Sequence, residues 1–135
     1  MNYFLAKTDP QTYSILDFEK EGVTVWSGVR NPQAVQVLKQ MEKGDRVLIY
    51  HSQGEGAIRG LAEVVEKGRS DLKNEKSWLV DFKFLHKYLE PYVTLKQIKS
   101  TGRFANFALV YHSRLSTMIL PKAFILWLKK QKLYV

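Results

Sequence analysis

Two apolar runs separated by a short polar turn constrain this chain most. Arg46–His51 carries Val47, Leu48, Ile49 and Tyr50 in succession, and Ile58–Val65 returns with Leu61, Val64 and Val65. Between them Ser52-Gln53-Gly54-Glu55-Gly56 is polar and holds two glycines, which suits a chain reversal. The pair reads as a β-hairpin and commits the chain to an antiparallel sheet. Trp78–Leu85 adds a strand of another kind. Its large apolar residues Trp78, Val80, Phe82 and Phe84 alternate with positions that include Asp81 and Lys83, as on a half-buried strand. Asn2–Lys7 and Val23–Trp26 have strand composition, and Leu115–Leu120 is expected to form a further strand.

Helices punctuate these strands, each with a chemical start signal. Ser14 with Asp17 three residues on resembles a capping box before Ile15 and Phe18, and Gly22 closes that stretch. Asn31 followed by Pro32 caps a second helix, whose expected buried stripe is Ala34, Val37, Leu38 and Met41, and Gly44 ends it. Thr94 with Gln97 opens a short third helix, and Pro121–Lys130 is a last one, with Phe124, Ile125, Trp127 and Leu128 expected in the core. Five or six strands with short helices between them predict an α+β fold, a small mixed β-barrel with short helices packed around it. No linker or repeat divides residues 1–135, so a single domain is expected.

Composition narrows the function classes. There is no cysteine, which excludes disulfides and thiolate zinc sites. His51, His86 and His112 lack metal-ligand spacing, so neither a metal nor another cofactor is expected. Met118–Leu128, the longest apolar segment, contains Lys122 and is well short of the ~20 residues of a membrane span. The opening residues do not pattern as a signal peptide, and a cytoplasmic protein is expected. The formal net charge is +8. Residues 1–67 hold eight basic against nine acidic residues, and residues 68–135 hold thirteen against four. A basic half of this kind suits a polyanion, because contacts to phosphates release counterions. A membrane surface suits it less, since the last helix separates its polar and apolar residues poorly.

Three constellations bear on chemistry. Gly54-Glu55-Gly56-Ala57-Ile58-Arg59-Gly60 comes close to a dinucleotide fingerprint, but its last glycine is one place late and a strand follows instead of a helix. It reads as the hairpin turn. His51-Ser52 suggests a nucleophile and its base, but neighbours on a strand point to opposite faces. The segment Trp26-Ser27-Gly28-Val29-Arg30-Asn31-Pro32 is more informative. It sets an aromatic at a strand end, a glycine that allows close backbone approach, and exposed N–H groups ahead of a helix N-terminus. Such a segment can stack a flat ring and hydrogen-bond its edge, or it can bury a core tryptophan beside a capped helix.

Six blocks occur in order: Lys7-Thr8-Asp9-Pro10 with Tyr13-Ser14, Trp26 to Asn31, Gly44-Asp45, Tyr50-His51-Ser52, Gly60-Leu61-Ala62-Glu63-Val64, and Arg114-Leu115-Ser116. Together they resemble the EVE domain family along essentially the whole chain. The resemblance implies a PUA-like β-barrel, related to the YTH domains that read methyladenine in RNA. Its implied role is non-catalytic recognition of a modified nucleobase, chiefly modified cytosine in DNA. The chain departs from the family pattern at Ser27, where Asp is usual, at Pro32, at Val35-Gln36, at Ile119, and in a short stretch over residues 68–77.

The resemblance implies a pocket formed by Lys7, Thr8, Asp9, Trp26, Ser27, Gly28, Val29, Arg30, Asn31, Tyr50, His51 and Ser52. Trp26 would stack on a flipped base, Ser27 would bond its edge, and Asp9 would accept from an exocyclic amine or start an Asp-Pro turn. Only one of His51 and the pair Tyr50/Ser52 is expected to face the pocket. Arg30 would clamp a phosphate or pair with Asp17 or Asp45. Lys96, Lys99, Arg103 and Arg114 are the expected phosphate contacts, ahead of Lys122, Lys129, Lys130 and Lys132. The partner is then modified DNA, with RNA as an alternative, and a monomer is expected. A lone reader cuts nothing, so any effector is a separate protein. Two other functions stay open: an enzyme acting on a modified base with Asp9 or His51 as general base, and a module for a metabolite or protein partner.

Overall fold

The hairpin lies in the middle of the sheet. In the computed structural model β3 (Arg46–His51) pairs antiparallel with β4 (Ala57–Val64), from Arg46 opposite Glu63 to His51 opposite Ala57. The structure describes residues 1–54, 56–90 and 92–135, so Glu55 of the turn lies outside the described residues. β1 (Tyr3–Thr8) runs parallel to β3, and β6 (Trp78–Lys87) runs antiparallel to β4 on the other side. β2 (Val23–Trp26) pairs with β6, and β8 (Thr117–Ile119) pairs with β1. The sheet order is therefore β2-β6-β4-β3-β1-β8, with two-residue strands β5 (Arg69–Ser70) and β7 (Val93–Thr94) beside β6 and β4. This is an α+β fold with an open, mixed sheet of eight strands.

Register shifts at Ile49/Tyr50 and at Leu61/Ala62 mark irregularities where such sheets bend most strongly. β2 and β8, the ends of the sheet path, do not pair with each other among the described residues. Helix α2 (Pro32–Gln40) packs against both β6 and β8 and so spans the opening. That double contact explains a difference from the predicted stripe. Ala34, Val35 and Leu38 are buried, whereas Val37 is only half-buried, because the covered face is turned toward two strands. Met41 is buried at the helix end, as expected.

The helix-start signals at Ser14, Asn31 and Thr94 form, whereas Gly44 does not end α2: Met41 is its C-cap, and Gly44 lies in the turn that follows, bonding the Val64 carbonyl. In α1 (Ile15–Glu21) Ser14 and Asp17 make a reciprocal capping box, and in α3 (Leu95–Ser100) Thr94 and Gln97 do the same. Each satisfies two backbone donors that a helix start leaves unpaired. α4 (Ala108–Tyr111), β5 and β7 were not anticipated, being too short to carry a periodic pattern. The core gathers Phe4, Leu5, Phe18, Leu38, Leu48, Ile58, Leu61, Phe82 and Phe124, all essentially fully buried. α5 (Lys122–Lys130) contributes Phe124, Ile125, Trp127 and Leu128 to it. Among the described residues, no helix is long and apolar enough to cross a membrane.

Candidate functional site

A cavity of about 810 Å³ opens at the seam between the two ends of the sheet path. The end of β1 and the turn after it supply Lys7, Thr8, Asp9, Thr12 and Tyr13. β2 and the loop after it supply Thr24 to Asn31, α1 supplies Glu21, and Ser116 precedes β8. This volume lies in the range typical of small-ligand sites. Nine of the twelve residues named for the pocket line it: Lys7, Thr8, Asp9, Trp26, Ser27, Gly28, Val29, Arg30 and Asn31.

Tyr50, His51 and Ser52 do not line it, although either His51 or the pair Tyr50/Ser52 was expected to face it, because each is engaged elsewhere. Tyr50 is buried, with Lys7 Nζ 5.8 Å from its ring centroid. His51 Nε2 accepts the backbone N–H of Ile15 at 3.1 Å. Ser52 donates its N–H to the Thr8 carbonyl at 2.9 Å, and its hydroxyl donates there at 3.3 Å. These three residues brace the cavity wall from behind. Burial, with help from the nearby Arg59 charge, pushes His51 below its ordinary pKa. Its position therefore argues against both a Ser-His pair and a general base in the cavity.

The aromatic wall is deeper than the sequence suggested. Trp26 is only 8% exposed. Phe82 lies 5.1 Å from it at 30°, and Phe18 lies 6.5 Å away. It therefore offers the cavity a strip of ring and not a free face. Tyr13 extends that strip, meeting Trp26 edge-on at 6.3 Å and 78°. The Tyr13 hydroxyl donates to Glu21 Oε1. Its pKa is pushed up to about 12, by burial first and then by that bond. Glu21 is held below the usual carboxylate range, first by the Tyr13 bond and then by Thr24.

The polar groups divide into those in use and those left free. Asp9 forms the turn that the sequence allowed, with Oδ1 accepting from Gln11 N–H at 2.9 Å, and it still lines the cavity. Lys7 Nζ donates to the Ser113 carbonyl at 2.9 Å, and burial lowers its pKa. The first turn of α2 has its own donors engaged. Pro32 has no N–H, Asn31 Oδ1 accepts from Gln33 and Ala34, and the Asn31 carbonyl accepts from Val35. The unused donors lie ahead of the helix, in the segment where the sequence sets them: the backbone N–H groups of Ser27 to Asn31 bond to no group among the described residues. Gly28 turns this loop with a φ of +80°, a conformation side chains disfavour.

Arg30 is exposed and pairs with neither Asp17 nor Asp45. Asp17 caps α1, and Asp45 accepts from the N–H groups of Asn2 and Glu42. Lys96, Lys99, Arg103 and Arg114 are exposed. α3 starts beside the hairpin turn, because Thr94 pairs with Ala57, which in turn faces His51 and so lies near the Thr8 end of β1. Arg114 sits between Ser113, which holds Lys7, and Ser116, which lines the cavity. Lys122 and Lys129 lie elsewhere, around a hollow of about 410 Å³ at the Tyr3 end of β1. Lys130 and Lys132 are exposed. Among the described residues, no group of three or more His, Asp or Glu could hold a metal ion.

Sequence reasoning missed Thr12, Glu21, Thr24, Val25 and, as site residues, Tyr13 and Ser116. Thr24 could have been found, since it lies two positions before Trp26 on the same strand face. Nothing in the local pattern pointed to Glu21.

Comparison with known proteins gives the family and the fold. The sequence profile of the EVE domain matches residues 2–131. Thymocyte nuclear protein 1 of Rattus norvegicus is 33% identical over 82 residues, covering 52% of this chain and 36% of that protein. The chain thus spans about a third of that relative's length. A solved structure from Rhodopseudomonas palustris is 31% identical with a TM-score of 0.87, covering 96% of this chain and 92% of the other. Human THYN1 protein, solved in complex with 5-methylcytosine containing DNA, superposes with a TM-score of 0.86 at 24% identity, with 100% of both chains covered.

Proposed function

The chain belongs to the EVE domain family, and from that premise we propose that it is a non-catalytic nucleic-acid reader that takes a modified base, in the first place a modified cytosine in DNA, into the cavity at the sheet seam. The observation that carries this reading is the composition of one cavity. An aromatic strip, two carboxylates and a run of unused backbone N–H groups line the same space, with an unpaired Arg30 on its wall. The aromatic strip supports stacking, worth roughly 1–3 kcal/mol per base. The carboxylates and N–H groups can bond a base edge. A flipped base costs a few kcal/mol to extrude. The exposed cations Lys96, Lys99, Arg103 and Arg114 supply sequence-independent phosphate contacts that offset this cost. The human THYN1 protein, which shares the fold, was solved on methylcytosine DNA, and that points to the class of ligand.

The enzyme reading finds less support. Of its two candidate bases, His51 does not line the cavity and has its Nε2 engaged by the Ile15 N–H, and Asp9 has one oxygen committed to a turn. The test is a titration of labelled duplexes carrying cytosine, 5-methylcytosine or 5-hydroxymethylcytosine in one context, with matched RNAs, at two salt concentrations. Tighter binding to a modified duplex at both salts is expected. Equal and strongly salt-dependent binding to every duplex would reduce the chain to a basic surface without a base reader.

A further inference from the structure

We infer that Glu21 is the residue that reads the base edge, selecting a base with an exocyclic amine, such as 5-methylcytosine, against its keto counterpart thymine. The inference rests on the reading of the cavity as a base pocket and adds to it the residue that sets its chemistry.

The loop after Trp26 carries Ser27 and no carboxylate of its own, and α1 brings one to the same cavity. Glu21, the last residue of α1, lines the cavity together with Trp26 and Ser27. Its side chain is exposed, and the Tyr13 hydroxyl, donating to Oε1, orients it. Tyr13 meets Trp26 edge-on, so the group that orients the carboxylate is part of the wall on which a base would pack.

The chemistry then follows from donor and acceptor count. A carboxylate accepts and cannot donate. The hydrogen-bonding edge of cytosine presents an amine donor next to acceptors, and Ser27 to Asn31, whose backbone N–H groups bond nothing among the described residues, line the same cavity. Thymine has the same shape as 5-methylcytosine but carries a carbonyl in place of the amine. Against Glu21 that oxygen meets an acceptor and is repelled. Shape alone separates methylated from unmethylated cytosine only modestly. An amine-to-carbonyl exchange at a fixed carboxylate is read more sharply. Asp9 is the competing acceptor: Gln11 holds one of its oxygens as Tyr13 holds one of Glu21's, but the group that orients Glu21 is itself packed against Trp26.

The experiment places 5-methylcytosine, cytosine or thymine opposite an abasic site in otherwise identical duplexes, so that none of the bases has a pairing partner to lose. Wild type, Glu21→Gln and Asp9→Asn are titrated, with thermal melts to show that each is folded. The expected wild-type preference for 5-methylcytosine over thymine is roughly tenfold or more. Glu21→Gln, whose amide both donates and accepts, should bring that ratio to near unity by raising thymine affinity as well as lowering 5-methylcytosine affinity. A merely structural role for Glu21 would weaken both ligands together. An unchanged ratio in Glu21→Gln, or a ratio that collapses only in Asp9→Asn, overturns the assignment. Failure of wild type to separate 5-methylcytosine from thymine while it still separates 5-methylcytosine from cytosine also overturns it and leaves the pocket reading standing. Absence of every preference in wild type overturns both.

Discussion

The imidazole Nε2 of His51 accepts the backbone N–H of Ile15 at 3.1 Å, joining the end of a central strand to the first residue of α1. The bond demands a neutral ring, which agrees with the lowered His51 pKa. In the unfolded chain the ring titrates near its ordinary value of about 6.5. As pH falls below that value the unfolded state takes up a proton that the folded state resists, so stability is full above about pH 6.5 and is lost as pH falls toward the folded pKa. Denaturant melts from pH 8 to pH 5 should show this decline, and His51→Gln, which keeps an acceptor without a titrating ring, should flatten it. His51→Ala leaves a buried N–H without a partner and should cost about 1–3 kcal/mol.

Gly60 makes room for the same helix start. A Cβ there would run into the Ile15 side chain and come within 3.1 Å of the His86 carbonyl. Gly60→Ala should cost about 1–3 kcal/mol through overpacking. A small loss on chemical denaturation would show that α1 can shift outward freely.

Trp26 has a double duty that makes its alanine variant a poor probe. It packs against Tyr13, Phe18 and Phe82, so Trp26→Ala should lose about 3–5 kcal/mol of stability along with any binding. Trp26→Phe keeps most of the core and narrows the strip shown to the cavity. It should fold, lose preference for the modified base, and retain weak binding that salt abolishes. A Trp26→Phe protein that still discriminates would remove Trp26 from the recognition surface.

These variants also show which parts of the molecule the sequence made legible. Caps and turns are local, so Ser14 with Asp17, Asn31 with Pro32 and Thr94 with Gln97 could be read directly, each from a side chain bonding backbone within three residues. The hairpin was legible because its two apolar runs flank a polar, glycine-bearing turn. The cavity was legible in part, through Lys7 to Asp9 and Trp26 to Asn31, which the family pattern marks. Direction was not legible. Tyr50 to Ser52 belong to the same pattern, yet they do not line the cavity, because their partners come from distant stretches of chain: Lys7 over the Tyr50 ring, the Ile15 N–H on His51 and the Thr8 carbonyl for Ser52. Glu21 was hidden for a similar reason. It stands beside the cavity in contact with Tyr13, a bond between the turn after β1 and the end of α1 that no periodicity announces.

The C-terminal residues should matter more to stability than their position suggests. The Tyr88 hydroxyl donates to the Tyr134 carbonyl at 2.6 Å, the Tyr3 hydroxyl donates to the Val135 carbonyl at 3.1 Å, and Arg46 lies 5.5 Å from the Tyr134 ring centroid. Removing residues 134 and 135 would leave the buried Tyr88 hydroxyl without this acceptor. A loss of about 1–3 kcal/mol is expected. Tyr88→Phe in the truncated chain should restore part of it, since an apolar ring needs no partner. Truncation without effect on the melting curve would show that water satisfies the hydroxyl as well.

Charge should govern affinity separately from base choice. Lys96, Lys99, Arg103 and Arg114 are exposed and take part in none of the ion pairs among the described residues, whereas Lys43, Arg69 and Lys87 are paired with Glu66, Asp81 and Glu19. If the four free cations each neutralise a phosphate, replacing any one by Gln should reduce the slope of log affinity against log salt by about 0.9 on duplex DNA. The ratio of modified to unmodified affinity should stay constant, because a phosphate contact carries no base information. Lys122→Gln and Lys129→Gln provide the control, since those residues border the hollow at the far end of β1. Equal slope changes from both sets would mean that DNA wraps the whole basic half of the molecule. A changed base ratio in the Arg114→Gln variant would place that side chain inside the pocket, beyond its expected role at the rim.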